Sequence, residues 1–306
     1  MRRLIKTVFL FGILYLLFIY RTQIIRFMMI HVVYRDSLFS GESNQYVRNQ
    51  DWLYVQRTDE FYPKTKQDIL NLFYTALDSG WEEVTFYCDE SYHSCLNDVK
   101  SLTDDNYILS SINNFVPTFN SYHRIYVSMN VLGRVNIQFE RIYTEEQKKE
   151  LQAKVDQIYS ELITSSMNTE EKIRKIHDYI IDHTVYDQEH AEYVEKNDAF
   201  YVTTSNTAYG PLFTGKAVCS GYTDAMTLFL DKMGIPNYKI SSYNHIWNFV
   251  YIDGEWKHLD LTWDDPVMSN GDNIISYDLF LISTDTLETE NIEKHSYDKL
   301  IYLEAR

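Results

Sequence analysis

The chain has 306 residues and a formal charge of −16, from 28 Lys and Arg against 44 Asp and Glu. Six of the basic residues and no acidic one precede Asp36, so the remainder sets 22 against 44, a surface that repels phosphate backbones and excludes nucleic acid as a partner of the body. With 45% hydrophobic residues, 10 Gly, 5 Pro and three cysteines, the body is neither disordered, nor fibrous, nor a disulfide scaffold.

The first six residues include three basic ones, Arg2, Arg3 and Lys6, and Thr7 to Tyr20 carry no charge. That run falls short of the ~20 residues that cross a bilayer, though counting from Leu4 with Lys6 snorkelling brings it near the lower limit. A cleaved signal peptide has an apolar region of this length, but no small-residue cleavage site follows; Arg21 to Arg26 come next. A second apolar stretch, Phe27 to Tyr34, keeps the chain near the interface. The expectation is an uncleaved signal anchor over residues 1–35. Basic residues flank the apolar run equally, so the positive-inside rule gives no orientation. Cys88 and Cys95 stand close enough in sequence to pair, which suits an oxidising exterior and leaves Cys219 as the odd thiol; two ordinary buried thiols are the other reading. A membrane-anchored protein with an extracytoplasmic body is expected.

Asp36 to about Gln50 is polar and reads as a stalk. Ile69, Leu72, Phe73, Ala76 and Leu77 make one apolar stripe on a helix from Lys64 to Ser79 that ends at Gly80. Val84 to Tyr87 reads as a short strand, and His123 to Tyr143 as a hairpin bending at Leu132-Gly133. Residues 36–143 thus form a small α+β domain without a cluster of catalytic residue types. The second domain, 144–306, opens with a capping box at Thr144 and a long helix to Ser165. Another helix runs from Asn168 or Thr169 to about His183. His177 and His183 are six apart, off a common face, and read as helix-surface residues rather than a metal pair. Tyr186 to Thr207 reads as a polar surface loop.

The chemistry concentrates between Thr203 and Pro266. Tyr222, Met226, Phe229, Leu230 and Met233 form a stripe on a helix that Gly234 and Pro236 stop, so Cys219 sits in its first turn. Unpaired N–H groups and the positive dipole end there favour a thiolate, the nucleophilic form. His245–Ile252 and Glu255–Trp263 flank Asp253-Gly254, a two-residue hairpin turn. In that register Trp247 faces Asp260, and His245 and Asp260 are diagonal neighbours on one face. An imidazole to handle the proton and a carboxylate to orient it are what a thiol nucleophile needs. Trp247 is placed to shield their hydrogen bond. His258 reads as structural, stacked on Phe249 or Tyr251, and Asp264 and Asp265 as caps of the following turn. A metal site at Cys219, His245 and Asp260 lacks the close ligand pair usual for zinc.

The segment Tyr209-Gly210-Pro211-Leu212-Phe213-Thr214-Gly215-Lys216-Ala217-Val218-Cys219-Ser220-Gly221-Tyr222 resembles the nucleophile segment of bacterial transglutaminase-like proteins. Asn244-His245-Ile246-Trp247-Asn248 and Leu259-Asp260-Leu261-Thr262-Trp263-Asp264-Asp265-Pro266 resemble that family's histidine and aspartate segments, in order. Flanking likenesses are Ile176 to Ile180 with Tyr186-Asp187, and Tyr277 to Ser283 followed by His295; together they reach from about Thr144 to His295. Two departures stand out: Ile246 where a small residue is usual, and Thr223 where alanine is usual. The resemblance implies an α+β, papain-like fold, with a nucleophile helix packed on an antiparallel sheet that carries His245 and Asp260. It also implies a thiol enzyme in which Cys219 attacks an amide or peptide carbonyl of a protein or peptide substrate, as peptidase, deamidase or transglutaminase, without a cofactor. The oxyanion would be met by the Cys219 N–H and by a second donor, for which Tyr209 and Asn206 are candidates by position. A binding or scaffold protein without turnover is the competing reading, and a metal-dependent hydrolase a third.

Overall fold

The computed structural model describes residues 2–29, 32, 41–197, 201–266, 274–289 and 294–306. In chain order the elements are α1 (Arg2–Ile19), α2 (Arg21–Met28), α3 (Lys66–Asp78), β1 (Glu83–Tyr87), α4 (Cys95–Asp104), α5 (Asn106–Asn113), β2 (Tyr122–Met129), β3 (Arg134–Arg141), α6 (Glu145–Leu162) and α7 (Thr169–Asp182). They continue with β4 (Val185–Tyr186), α8 (Gln188–Asn197), β5 (Lys216–Ala217), α9 (Cys219–Lys232), β6 (Asn237–Ser241), β7 (Ile246–Ile252), β8 (Glu255–Leu259) and α10 (Thr284–Thr289).

The N-terminal apolar run is helical, and its large side chains from Val8 to Tyr20 are exposed all round. At 18 residues α1 is ~27 Å long and opens on Arg2 and Arg3. Among the described residues no helix is long and apolar enough to cross a membrane, so a full membrane-spanning helix is not supported. The second apolar stretch is described only at 27–29 and 32, and the stalk expected over 36–50 lies outside the described residues as far as 40.

From 41 to 143 the chain builds a sheet in the order β1-β3-β2, all antiparallel, covered by α3, α4 and α5. Asn130 turns the β2–β3 hairpin, its Oδ1 accepting the N–H groups of Leu132 and Arg134. The two short helices α4 and α5 add to the elements expected from the sequence. Cys88 and Cys95 are joined in a disulfide.

A second antiparallel sheet, β6-β7-β8, lies in the middle of the body. Asp253 and Gly254 both have positive φ, 54° and 84°, as a two-residue turn matched to the twist of its strands requires. The register pairs Ile252 with Glu255 and Asn248 with Leu259, as the hairpin reading demanded. Alternation then sends side chains to two different cores. Tyr238, Ile240, Trp247 and Phe249 join the cluster built from 52–139 and the C-terminal Tyr302 and Ala305. Val250, Ile252 and Leu259 join the cluster formed with α6, α7 and α9. The loop expected over 186–207 instead contains β4 and α8, followed by a 3₁₀ turn at Thr204–Asn206. Strand β4 pairs parallel with β5, just ahead of Cys219, which gives this polar stretch a tertiary partner that periodicity cannot reveal.

With Cys88 and Cys95 paired, a thiol reagent applied to the folded, non-reduced protein should modify Cys219 alone, and prior reduction should add two further sites. Labelling at Cys88 or Cys95 without reductant, read by peptide mass mapping, would contradict this.

Candidate active site

Cys219 opens α9, with Val218 at the N-cap in extended conformation and no side chain capping the helix. The loop before it is held close. Val218 N–H donates to the Ser205 carbonyl at 2.9 Å, and Gly221 meets that carbonyl so tightly that a Cβ would lie 2.4 Å from the oxygen. Any larger residue at 221 would drive the 205–207 backbone off the helix start. At the other end Gly234, with φ 68°, closes the helix in a Schellman motif, where Ile235 N–H reaches Leu230 O and Gly234 N–H reaches Asp231 O.

The helix is stitched to β7 beside the site. The Thr223 hydroxyl lies 2.8 Å from the carbonyl of Cys219 and 3.0 Å from that of Ile246, donating between them. The Asn248 amide donates to the Thr223 carbonyl and to Thr227 Oγ1 at 3.1 and 2.8 Å. Thr223, where alanine is usual in the resembling family, thus fixes the nucleophile helix to the strand that follows His245. Behind it, Asp224 is buried with Lys239 at 2.7 Å and accepts from the Tyr143 hydroxyl at 2.6 Å. Tyr143 also accepts the Ala208 N–H, tying the loop before Cys219 to the same network.

His245 and Asp260 meet as the register anticipated. His245 Nε2 donates to Asp260 Oδ2 at 2.5 Å, and Cys219 stands close enough to the ring to add to its basicity. Both His245 and Asp260 are buried, at 6% and 2% exposure. Burial pulls the imidazole down, but the charge and hydrogen bond of Asp260, with a contribution from Cys219, outweigh it and hold His245 at about 10. Burial likewise pushes the Asp260 carboxyl up, and the opposing histidines His245 and His295 carry it well below the usual carboxylate range. Trp247, fully buried, stacks on His245 at 5.6 Å between centroids and excludes water from the pair.

His295 is the residue the spacing argument missed: its Nε2 donates to the same Asp260 Oδ2 at 2.8 Å. It lies 35 residues beyond Asp260 in a stretch without period, and only its place in the flanking likeness drew notice. The donor atoms of His245, Asp260 and His295 lie within 4.8 Å of one another. The 2.5 Å separation of His245 and Asp260 is a hydrogen-bond distance, whereas ligands of one tetrahedral ion with bonds of ~2 Å stand over ~3 Å apart. Tyr186 likewise stands out in the sequence only through the flanking likeness. Pairing with Ala217 brings it to the site, where burial first and then the charges of Cys219, Asp187 and Asp260 push its phenol up to about 12.

Other expected roles change. The Tyr209 hydroxyl donates to Glu150 at the surface, and Asn206 Oδ1 accepts from Thr203 and faces His190 Nε2, so neither of these groups is directed to Cys219. His258 is structural, as expected: it lies 4.6 Å from Phe249 and its Nδ1 accepts the Trp247 indole N–H. His177 is not a surface residue but fully buried, between Asp178 at 3.0 Å and Asp264 at 3.1 Å; the exposed His183 is one. Asp264 is no simple turn cap. Its carboxylate accepts from His177 and from the Leu279 N–H, and Asp265 accepts from the Tyr222 hydroxyl. The polar partners lie far away in sequence, which makes burial of these carboxylates invisible to local reading.

Two outcomes follow from these titrations. Histidine ¹⁵N NMR should show His245 protonated well above neutral pH, with a midpoint near 10 that falls by ~2 units in Asp260→Asn. An unchanged midpoint would remove Asp260 as its partner. Burial lowers His177 and its two carboxylates more than compensate, raising it above 6.5. A raised folded value gives stabilisation that is full below the unfolded value and lost as pH rises through the folded one. His177→Ala should therefore cost ~3 kcal/mol near pH 6 in urea unfolding, with the difference shrinking at alkaline pH; a pH-independent difference would contradict the charged reading.

Residues 156–261 match the family model described as Transglutaminase-like superfamily. No curated protein matches the chain. Among solved structures, one described as a TGase is similar over 46% of this chain and 44% of its own, at 16% identity and a TM-score of 0.35. Another, described as a "Putative Cysteine Protease" from Cytophaga hutchinsonii, is similar over 50% of this chain and 65% of its own, at 12% identity and a TM-score of 0.28. The chain thus spans less than two thirds of either structure's length. The matched residues hold Cys219, His245 and Asp260 together, and this part of the chain is similar to the transglutaminase-like superfamily.

Proposed function

We propose that the protein is a thiol enzyme acting on amide or peptide bonds through an acyl intermediate on Cys219. The observation that carries this reading is the buried, hydrogen-bonded pair of His245 and Asp260, with Cys219 at the start of its helix close enough to raise the imidazole further. Cys219 Sγ attacks the carbonyl carbon and its electrons move to the oxygen, where the Cys219 backbone N–H meets the developing charge. His245, protonated and held by Asp260, gives its proton to the departing nitrogen, and a thioester with a free amine or ammonia results. Water then yields an acid, or a lysine-like amine yields a new amide; the imidazole takes the proton from either. The triad is the same for both outcomes. Trp263, half-exposed beside His245, forms one wall of the approach.

The N-terminal helix supports a tether. Large apolar side chains exposed around its whole circumference suit lipid better than a single protein face, and Arg21 and Lys6 frame them. A disulfide in the body favours an oxidising compartment, hence a body outside the cytoplasm.

A peptide amide carrying a thiol-reactive group should label Cys219, with the rate falling on the order of 10²–10⁴-fold in His245→Ala. Equal labelling of the two proteins would leave a binding protein that keeps the fold without turnover.

A further inference from the structure

The Asp260 carboxylate has one partner more than a thiol–imidazole pair requires. Its Oδ2 accepts from His245 at 2.5 Å and from His295 at 2.8 Å, while Oδ1 accepts the Thr262 N–H at 2.9 Å. Both oxygens face donors, so a proton on either would displace a hydrogen bond. His295 is 4% exposed and sits between Trp247 and Trp263, at 4.7 and 5.2 Å between ring centroids. It arrives on the C-terminal segment, which buries Ile301, Tyr302 and Ala305 in the core beneath Trp247. The tail therefore delivers one imidazole to the carboxylate that β7 and the end of β8 deliver to the other.

We propose that His295 is a positioning residue: its Nε2–H holds Asp260 anionic and aimed at His245, and so acts on Cys219 only through that carboxylate. This rests on the reading of Cys219, His245 and Asp260 given above.

The other titratable groups around Asp260 do not substitute for it. Burial first and then the charge of His295 pull His258 down to about 3, and its Nδ1 is an acceptor for Trp247. Tyr186 feels the charge of Asp260 and stays a neutral phenol. Asp264 is pushed up by burial, with Asp260 adding to the effect, and its carboxylate is turned to His177. Among the described residues, His245 and His295 are the side chains that donate to Asp260. Without the second N–H, a fully buried carboxylate loses part of what offsets its burial and takes a proton at higher pH. His245 then loses its anionic partner, and Cys219 its imidazolium.

The test is the iodoacetamide alkylation rate of Cys219 across the acid range in the full chain. His295→Leu should move the acid limb up by ~1 pH unit, and His295→Gln, which keeps an N–H, should recover at least half of that shift. A Leu profile superimposed on wild type, or a Gln profile displaced as far as Leu, overturns the proposal. Should the Leu variant not fold, ¹⁵N NMR of the wild-type protein decides: Nε2 of His295 must carry a proton through neutral pH, and an unprotonated Nε2 overturns it. A wild-type Cys219 that alkylates like an ordinary thiol would defeat the enzymatic reading instead, and that is visible before any variant is made.

Discussion

A carboxylate kept ionised while almost wholly out of water is the constraint on which the site depends. Desolvation of Asp260 opposes its charge, and an isolated buried anion would neutralise itself by taking a proton. The fold supplies two imidazole N–H groups and the backbone N–H groups of Thr262 and Trp263 in compensation. The anion in turn makes a buried His245 basic rather than neutral, which reverses the effect that burial alone has on an imidazole. Each group is costly by itself, and the set is stable only when complete.

Completeness requires three separate parts of the chain to arrive together. Helix α9 brings Cys219, the β7–β8 hairpin brings His245 and Asp260, and the C-terminal segment brings His295. Thr223 and Asn248 lock the helix to the hairpin with hydrogen bonds whose lengths leave little freedom in the Cys219–His245 spacing. The two cores on either face of the β6-β7-β8 sheet do the rest. The face of Tyr238 and Trp247 packs on the 52–139 segment and the tail, so a portion of the chain without chemistry of its own supports the rigid wall behind His245.

What the sequence made legible follows from physical range. Local rules worked where the determinant was local: the capping box at Thr144, the stop at Gly234, and the Asp253-Gly254 turn that sets the His245–Asp260 register. They failed where a polar group is satisfied from far away. His177 looks like a surface histidine until Asp264, 87 residues on, is seen against it, and His295 has no pattern to betray it. The helix α8 is polar and acidic and buries His190 alone of its described residues, which is why its composition reads as loop. The N-terminal run was legible as helix and as apolar, but its 18 residues do not make a span.

The central claim is that Cys219 forms an acyl bond with a carbonyl, releasing the amine. The most direct measurement is intact-protein mass spectrometry after brief acid quenching of the enzyme with glutamine- and asparagine-containing peptides. The account predicts an adduct on Cys219 equal to the peptide mass less ammonia, or less the departing peptide where a chain bond is cut. That adduct should be released by hydroxylamine and absent from Cys219→Ala. A protein whose Cys219 is demonstrably reactive toward alkylating reagents, yet never carries a hydroxylamine-labile acyl group with any peptide, would contradict it.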